Sequence, residues 1–198
     1  MHPKTTGLGL ILAPFLLLAC GGTTVKLELT DAPPDTDAMA HVFVTLGRVE
    51  VHVAGDDDAD DEDDETNDAA DEDDDDAGWK TVAAPAGTFD LLALRDDVRA
   101  TLGELELPDG KITQIRLFID PAGPNEIELV SGETCALDLE KVPPTGVKIN
   151  HPFKALDVEE SSTLNIVVDF DVKESVDQSG SCEFSLKPVI KIKHVERD

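Results

Sequence analysis

Apolar and polar side chains alternate with a two-residue period along most of this chain, most fully in "HVFVTLGRVEVHVA", His41–Ala54. A period of two is that of a half-buried β-strand, whose successive side chains point to opposite faces. Here the parity slips once. Val42, Val44 and Leu46 share one face, and after Gly47-Arg48 the apolar set becomes Val49, Val51 and Val53. One extra residue flips which side faces inward, so the slip predicts a bulge or sharp bend at Gly47.

The same reading extends to other segments. "VKLELT" sets Val25, Leu27 and Leu29 against Lys26, Glu28 and Thr30. "WKTVAA", "TFDLLAL", "KITQIRLFID", "NEIELV", "TCALDL" and "GVKI" are short, rich in Val, Ile and Leu, and parted by Pro, Gly, Asn or Asp. "STLNIVVDFDV" is apolar on both faces, as a central strand would be. "CEFSLKPVIKIK" reads as one strand with Phe184, Leu186, Pro188, Ile190 and Ile192 on one face. Proline removes a ladder donor, which places that strand at an edge or a bulge. Only "LLALRDDVRATLG", with Leu91, Leu94, Val98 and Leu102, approaches helical spacing, and it reads equally as strand and turn. Many short strands with frequent turns predict an all-β sandwich.

The first residues, "MHPKTTGLGLILAPFLLLACGG", read as a processing signal. Lys4 supplies the positive region, and the apolar run from Gly7 to Ala19 is shorter than the roughly 20 residues a bilayer span needs. Leu17-Leu18-Ala19-Cys20 resembles a bacterial lipobox, whose Cys thiol takes a diacylglycerol. A plain secretory signal with a chance Cys is the alternative, but charge, run length and the small residue before Cys20 all suit the lipobox. Two or three acyl chains hold a protein on a membrane durably where one does not. In two-membrane envelopes an Asp after the Cys favours the inner membrane, so Gly21 favours the outer. The expected organisation is a signal over 1–19, a lipidated tether over 20–24 and a β-sandwich over 25–195.

Three Cys are odd for a secreted chain, but lipid on Cys20 leaves Cys135 and Cys182 as a natural pair outside the cytosol. That bridge would close a loop of about 50 residues and stabilise the fold by roughly 3–4.5 kcal/mol.

Charge excludes some partners. The formal net charge is −27, and residues 56–76 hold 16 acids and no base, so the rest of the chain carries −11. Such a balance opposes binding to nucleic acid or to anionic lipid by general electrostatics. The acidic run forms an insertion, 55–78, between two strands. Its carboxylates repel and bury no apolar area, which predicts a disordered, swollen loop. Ca²⁺ is the one ion these acids suggest. The run lacks the Gly and the later Glu of an EF-hand loop, so it reads as a charge brush more readily than as a specific site. "TDAPPDTDA" offers Asp31, Asp35 and Asp37 as a second candidate Ca²⁺ site, with Asp169 or Asp171 as further ligands. Asp residues in such a setting more often cap turns.

Catalytic spacing is missing. His41, His52, His151 and His194 form no H-x-H or H-E-x-x-H motif, there is no G-x-S-x-G, and nothing singles out a carboxylate pair for glycoside hydrolysis. His41 and His52 could meet only if Gly47 folded the strand back. Trp79 is the only Trp and Tyr is absent, a poor composition for a sugar-binding or base-stacking surface; Trp79 reads as core or edge packing. The expectation is a non-catalytic binding or structural module, with an unidentified envelope protein or ligand as partner. A Ca²⁺-binding surface module and an extracytoplasmic hydrolase are the rivals.

The ordered set "LTDAPPDTDAMAHVFVTLGRVEVH", "FDLLAL", "LPDGKITQIRL", "VPPTGVKI", "VVDFDV" and "LKPVIKI" resembles an envelope lipoprotein family known as domain of unknown function 4382. The resemblance spans about Val25 to Lys193 and implies an immunoglobulin- or transthyretin-like β-sandwich on a lipid anchor, with no established activity and no functional residues. The acidic loop departs from the family's usual, shorter segment.

Overall fold

The computed structural model describes residues 22–31, 38–54, 78–82, 87–149, 154–158 and 163–198. Residues 55–77 of the expected acidic insertion, the lipobox with Cys20, and the candidate ligands Asp35 and Asp37 lie outside these residues, while Gly78, its expected last residue, is strand paired with Val53. The described chain is nearly all β, in two sheets that pack on one another. The smaller has the order β14-β11-β1-β5: Ile190–Arg197, Thr163–Phe170, Thr23–Thr30 and Ala100–Leu107. The larger runs along the path β10-β6-β2-β7-β8-β13-β12: Leu156–Val158, Gly110–Ile119, Met39–Ala54, Glu126–Leu129, Thr134–Asp138, Glu183–Leu186 and Val176–Gly180. Beside this path, β3 (Gly78–Val82) and β4 (Gly87–Asp90) pair with β2, and β9 (Val147–Lys148) pairs with β6. β1 begins at Thr23, so Thr23 and Thr24 of the expected tether are strand, paired with Leu107 and Glu106.

β2 organises the larger sheet. Its first half pairs with β7 and β4, and its second half with β6 and β3. The register against β6 shifts between Leu46 and Arg48, so the bulge falls at Gly47 as the parity slip predicted. Because the extra residue absorbs the slip, Val42, Val44 and Leu46 and then Val49, Val51 and Val53 are all buried. Opposite them Val25, Leu27 and Leu29 of β1 and Leu164, Ile166, Val168 and Phe170 of β11 complete the core. β11 lies between β14 and β1, a central place that accounts for its unbroken apolar run.

One expectation needs correction, and of two readings left open the structure bears out turn and strand. "CEFSLKPVIKIK" is two strands. β13 lies in the larger sheet beside β8, and after Lys187-Pro188-Val189 the chain enters the smaller sheet as the edge strand β14. Proline supplies no ladder N–H, so the pairing ends there and the chain changes sheet. "LLALRDDVRATLG" is no helix. Leu91–Leu94 form a single 3-10 turn, Asp96 and Asp97 take positive φ, Val98 is exposed, and β5 begins at Ala100. Left-handed backbone at two successive residues stops a helix.

One helical turn, α1 (Val172–Ser175), leads from β11 into β12 and carries the chain between sheets. A disulfide joins Cys135 in β8 to Cys182 in the turn between β12 and β13, with Cα atoms 5.3 Å apart. It ties the excursion made by β12 and β13 to the strand they pair with.

Deleting Gly47 should turn Val49, Val51 and Val53 outward. At about 1.5–3 kcal/mol for each buried valine side chain, that loss approaches a whole domain's stability, and the variant should fail to melt cooperatively. Gly47→Ala should cost under about 1 kcal/mol, because the added Cβ meets its nearest atom, Asp120 Cβ, at 3.4 Å. Replacing Cys135 and Cys182 together by Ala should lower unfolding free energy by roughly 3–4 kcal/mol in denaturant titration.

Candidate functional site

The bulge at Gly47 does more than restore parity, because it opens a cleft. Arg48 follows on the outer face of β2, and Phe118 and Ile119 end β6 opposite it. The turn Asp120–Pro121 closes one side, and the loop carrying Leu139, Val142, Pro143 and Pro144 closes the other. These residues line about 550 Å³, within the range of small-molecule sites.

The charged groups of the cleft are held in place. The Arg48 guanidinium lies over the Phe118 ring, 3.5 Å from its centroid, and Arg48 Nε donates to Glu50 Oε1 at 2.7 Å. The ring in turn rests on Gly146, whose φ is +88°; a Cβ there would approach the ring to 2.8 Å. Phe118 is thus sandwiched between a guanidinium and bare backbone, a stack that only glycine permits. Among the described residues nothing bonds the two terminal nitrogens of Arg48. Asp120 Oδ1 accepts from the Ala122 N–H at 2.9 Å, and its backbone N–H donates to the Thr45 carbonyl at 2.8 Å.

A similar pairing occurs further along the outer face. Arg116 lies over the Trp79 ring, 3.9 Å from its centroid, and His52 meets the ring edge-on at 5.0 Å. Trp79 therefore packs on an edge strand, 40% exposed. His41 and His52 do not meet. β2 is continuous between them, and His41 Nδ1 sits 2.6 Å from Asp90 Oδ2 while His52 Nδ1 sits 2.7 Å from Thr113 Oγ1. The Asp90 carboxylate holds the His41 imidazolium against deprotonation and raises its pKa.

Asp31 is fully buried at the end of β1, where it joins strands to crossover. Its N–H donates to the Leu94 carbonyl at 3.1 Å, and its Oδ1 accepts from the Val172 N–H at the start of α1 at 3.1 Å. Asp171 caps the same turn by accepting from the Glu174 N–H. Asp169 and Asp171 do lie nearby, and Lys191 Nζ serves both, 3.3 and 3.0 Å from their Oδ2 atoms. The ammonium thus occupies the place between these two carboxylates. Asp31 Oδ2 and Asp169 Oδ1 are buried without a hydrogen-bond partner among the described residues. Burial, reinforced by Asp169 and Asp171 and opposed by the Val172 N–H and Arg95, pushes the Asp31 pKa up to about 7. A proton on Asp31 removes the buried negative charge beside Asp169 and Asp171. Where Glu133 approaches Cys135 and Cys182, both sulfurs are in the disulfide and offer no thiolate to a metal.

On the outer face of the smaller sheet, Glu28 is nearly buried and accepts from Arg99 at 3.1 Å and Asn165 at 2.9 Å, with Lys26 Nζ at 3.2 Å. Burial alone would raise its pKa, but these three partners together hold it low. The arrangement is an ion network among strands in which Glu28 is fully partnered, while Asn165 Oδ1 is buried without a hydrogen-bond partner among the described residues.

Sequence reasoning marked Gly47 and Asp31 but missed the cleft, because Arg48, Phe118 and Gly146 are far apart in the chain. The only local signal was the parity slip beside an Arg.

The model of a family described as Domain of unknown function (DUF4382) matches residues 22–188. No curated protein and no solved structure matches the chain.

Because Asp31 binds its proton more tightly folded than unfolded, its contribution is full below about pH 4 and is lost as pH rises through about 7. Asp31→Asn should flatten that part of the stability profile, worth on the order of 2–4 kcal/mol, in chemical denaturation at pH 5 and pH 8. Asp169→Asn should lower the midpoint of the effect, since one of the charges opposing Asp31 ionisation is then gone.

Proposed function

The chain belongs to the DUF4382 family, and from that premise we propose a lipid-anchored, non-catalytic β-sandwich of the cell envelope that acts as a binding or structural module. The observation that carries the reading is the combination of Leu17-Leu18-Ala19-Cys20 with the Cys135–Cys182 disulfide. The first is the pattern of a lipidation signal, and the second belongs to an oxidising compartment. Gly21 favours the outer membrane where the cell has one. The short span between Cys20 and β1 would hold the sandwich close to the lipid surface.

The non-catalytic character rests on the polar clusters themselves. The buried carboxylates of Asp31, Asp169 and Asp171, with the half-exposed Lys191, sit against a strand crossover and tie it together, and Glu28 is surrounded by its own partners. His41 and His52 are each bonded to strand neighbours. None of these pairs a nucleophile with a base beside an open cavity. Ca²⁺ remains the alternative ligand class. Its weight falls on the acidic run, because Asp31 is fully buried and Lys191 already stands between Asp169 and Asp171.

Cys20→Ala should release the protein from membranes or leave it unprocessed, and globomycin should make the precursor accumulate. Mass spectrometry of the native protein should find acyl chains on Cys20. Unchanged processing and membrane association in both experiments would overturn the anchor. For Ca²⁺, calorimetry with and without residues 56–76 should give heat only when the run is present.

A further inference from the structure

The cleft beside the Gly47 bulge has the parts of a ligand site, and we infer that it takes a small apolar carboxylate of amino-acid to dipeptide size. Its apolar wall comes from Ile119, Pro121, Leu139, Val142, Pro143 and Pro144, and Arg48 and Asp120 add charge to the same lining. A space of about 550 Å³ is too large for a packing defect and suits a small organic molecule.

The chemical class follows from the guanidinium. Stacking on Phe118 fixes the plane of Arg48, and the bond from Nε to Glu50 fixes its rotation about the side chain. Both constraints leave the two terminal nitrogens as the free edge. A flat guanidinium edge matches a carboxylate in two parallel hydrogen bonds. The entropy of ordering a long side chain is already spent in the fold, so less is lost on binding. Gly146 belongs to the same device, since a side chain there would displace the ring that positions Arg48.

Asp120 sets the other limit. It also lines the cleft, and its Oδ1 is engaged by the Ala122 N–H. A ligand with a second negative charge is repelled there, whereas one with an ammonium or amide N–H is favoured. The cleft therefore prefers an apolar amino acid or short apolar peptide to a dicarboxylate. Simple anions such as phosphate gain nothing from the walls.

This inference rests on the proposed binding role and is independent of the anchor. Saturation-transfer NMR on the full chain, with leucine, leucyl-leucine, 4-methylpentanoate, 3-methylbutylamine and glutarate, tests it directly. Leucine and leucyl-leucine should bind with Kd of about 0.1–1 mM, 4-methylpentanoate more weakly, and the amine and glutarate not at all. Which of the first two binds better decides between a free amino acid and a peptide. Arg48→Gln should weaken binding at least roughly tenfold while the chain still unfolds in one cooperative transition, since Arg48 is a half-exposed surface residue. Arg48→Lys, which keeps the charge and loses the flat edge, should fall between. No binding of any carboxylate at about 10 mM, equal binding of the amine, or full binding by Arg48→Gln would each overturn the assignment. A chain that takes up leucine but lacks lipid fails only the anchor, and an anchored chain blind to every probe fails only the cleft.

Discussion

One extra residue in β2 carries most of the architecture. A straight sixteen-residue strand with this sequence would present half its valines to water, because strand parity admits no drift. Gly47 supplies the missing step, and the strand continues with Val49, Val51 and Val53 on the side already occupied by Val42, Val44 and Leu46. The bulge also divides the neighbours. β7 and β4 pair before it, and β6 and β3 pair beyond it or reach across it, so four strands find places along one. A bulge turns the side chain beside it outward and bends the strand. Here that side chain is Arg48, and the bend opens the cleft. Fold and candidate site share a single cause.

The second organising problem is how a chain changes sheet without stranding polar groups in the core. Between β11 and β14 the chain leaves the smaller sheet and returns to it. The two crossings lie side by side. Asp171 donates its N–H to the Val189 carbonyl, Ser175 Oγ accepts from the Val189 N–H at 2.8 Å, and the Lys187 N–H reaches the Ser175 carbonyl. Asp31 anchors the outward crossing from β1, and Lys191 joins its carboxylates from β14. Backbone groups that would otherwise be buried and unpaired are satisfied by this strap. The cost is a concentration of buried acid, which the raised Asp31 pKa records. The disulfide acts on the same excursion from its far side.

Much of this was readable along the chain wherever neighbours in sequence decide the outcome. The alternation in "VKLELT" and "HVFVTLGRVEVHVA" placed the core faces correctly, and the slip at Gly47 located the bulge to the residue. The all-β class and the Cys135–Cys182 pairing followed from composition and count. Failures came where a distant element decides. "CEFSLKPVIKIK" has one apolar face by parity, yet Pro188 divides it between two sheets because the strap needs both crossings there. "LLALRDDVRATLG" has near-helical leucines, but Leu91 and Leu94 turn once to fill the core beneath Thr30, whose hydroxyl shares its proton between the Leu94 and Val98 carbonyls. The segment around Asp31 suggested a turn cap ahead of an ion ligand, and only β11 and α1 supply the Val172 N–H from which its carboxylate accepts.

The amino-acid order by itself determined which residues face inward, where the long strand bulges, and that Cys135 and Cys182 make a pair. These depend on local stereochemistry, a period of two and a count, all of which one strand carries alone. Tertiary structure alone decided that Arg48 stacks on Phe118 above Gly146, that Asp31 accepts from the Val172 N–H close to Asp169 and Asp171, and that Lys191 bridges those two. Those contacts join residues as far apart in the chain as Asp31 and Val172, 141 positions, and no local pattern encodes them. A site arises where separately determined strands converge, so its geometry exists only once their packing sets the distances.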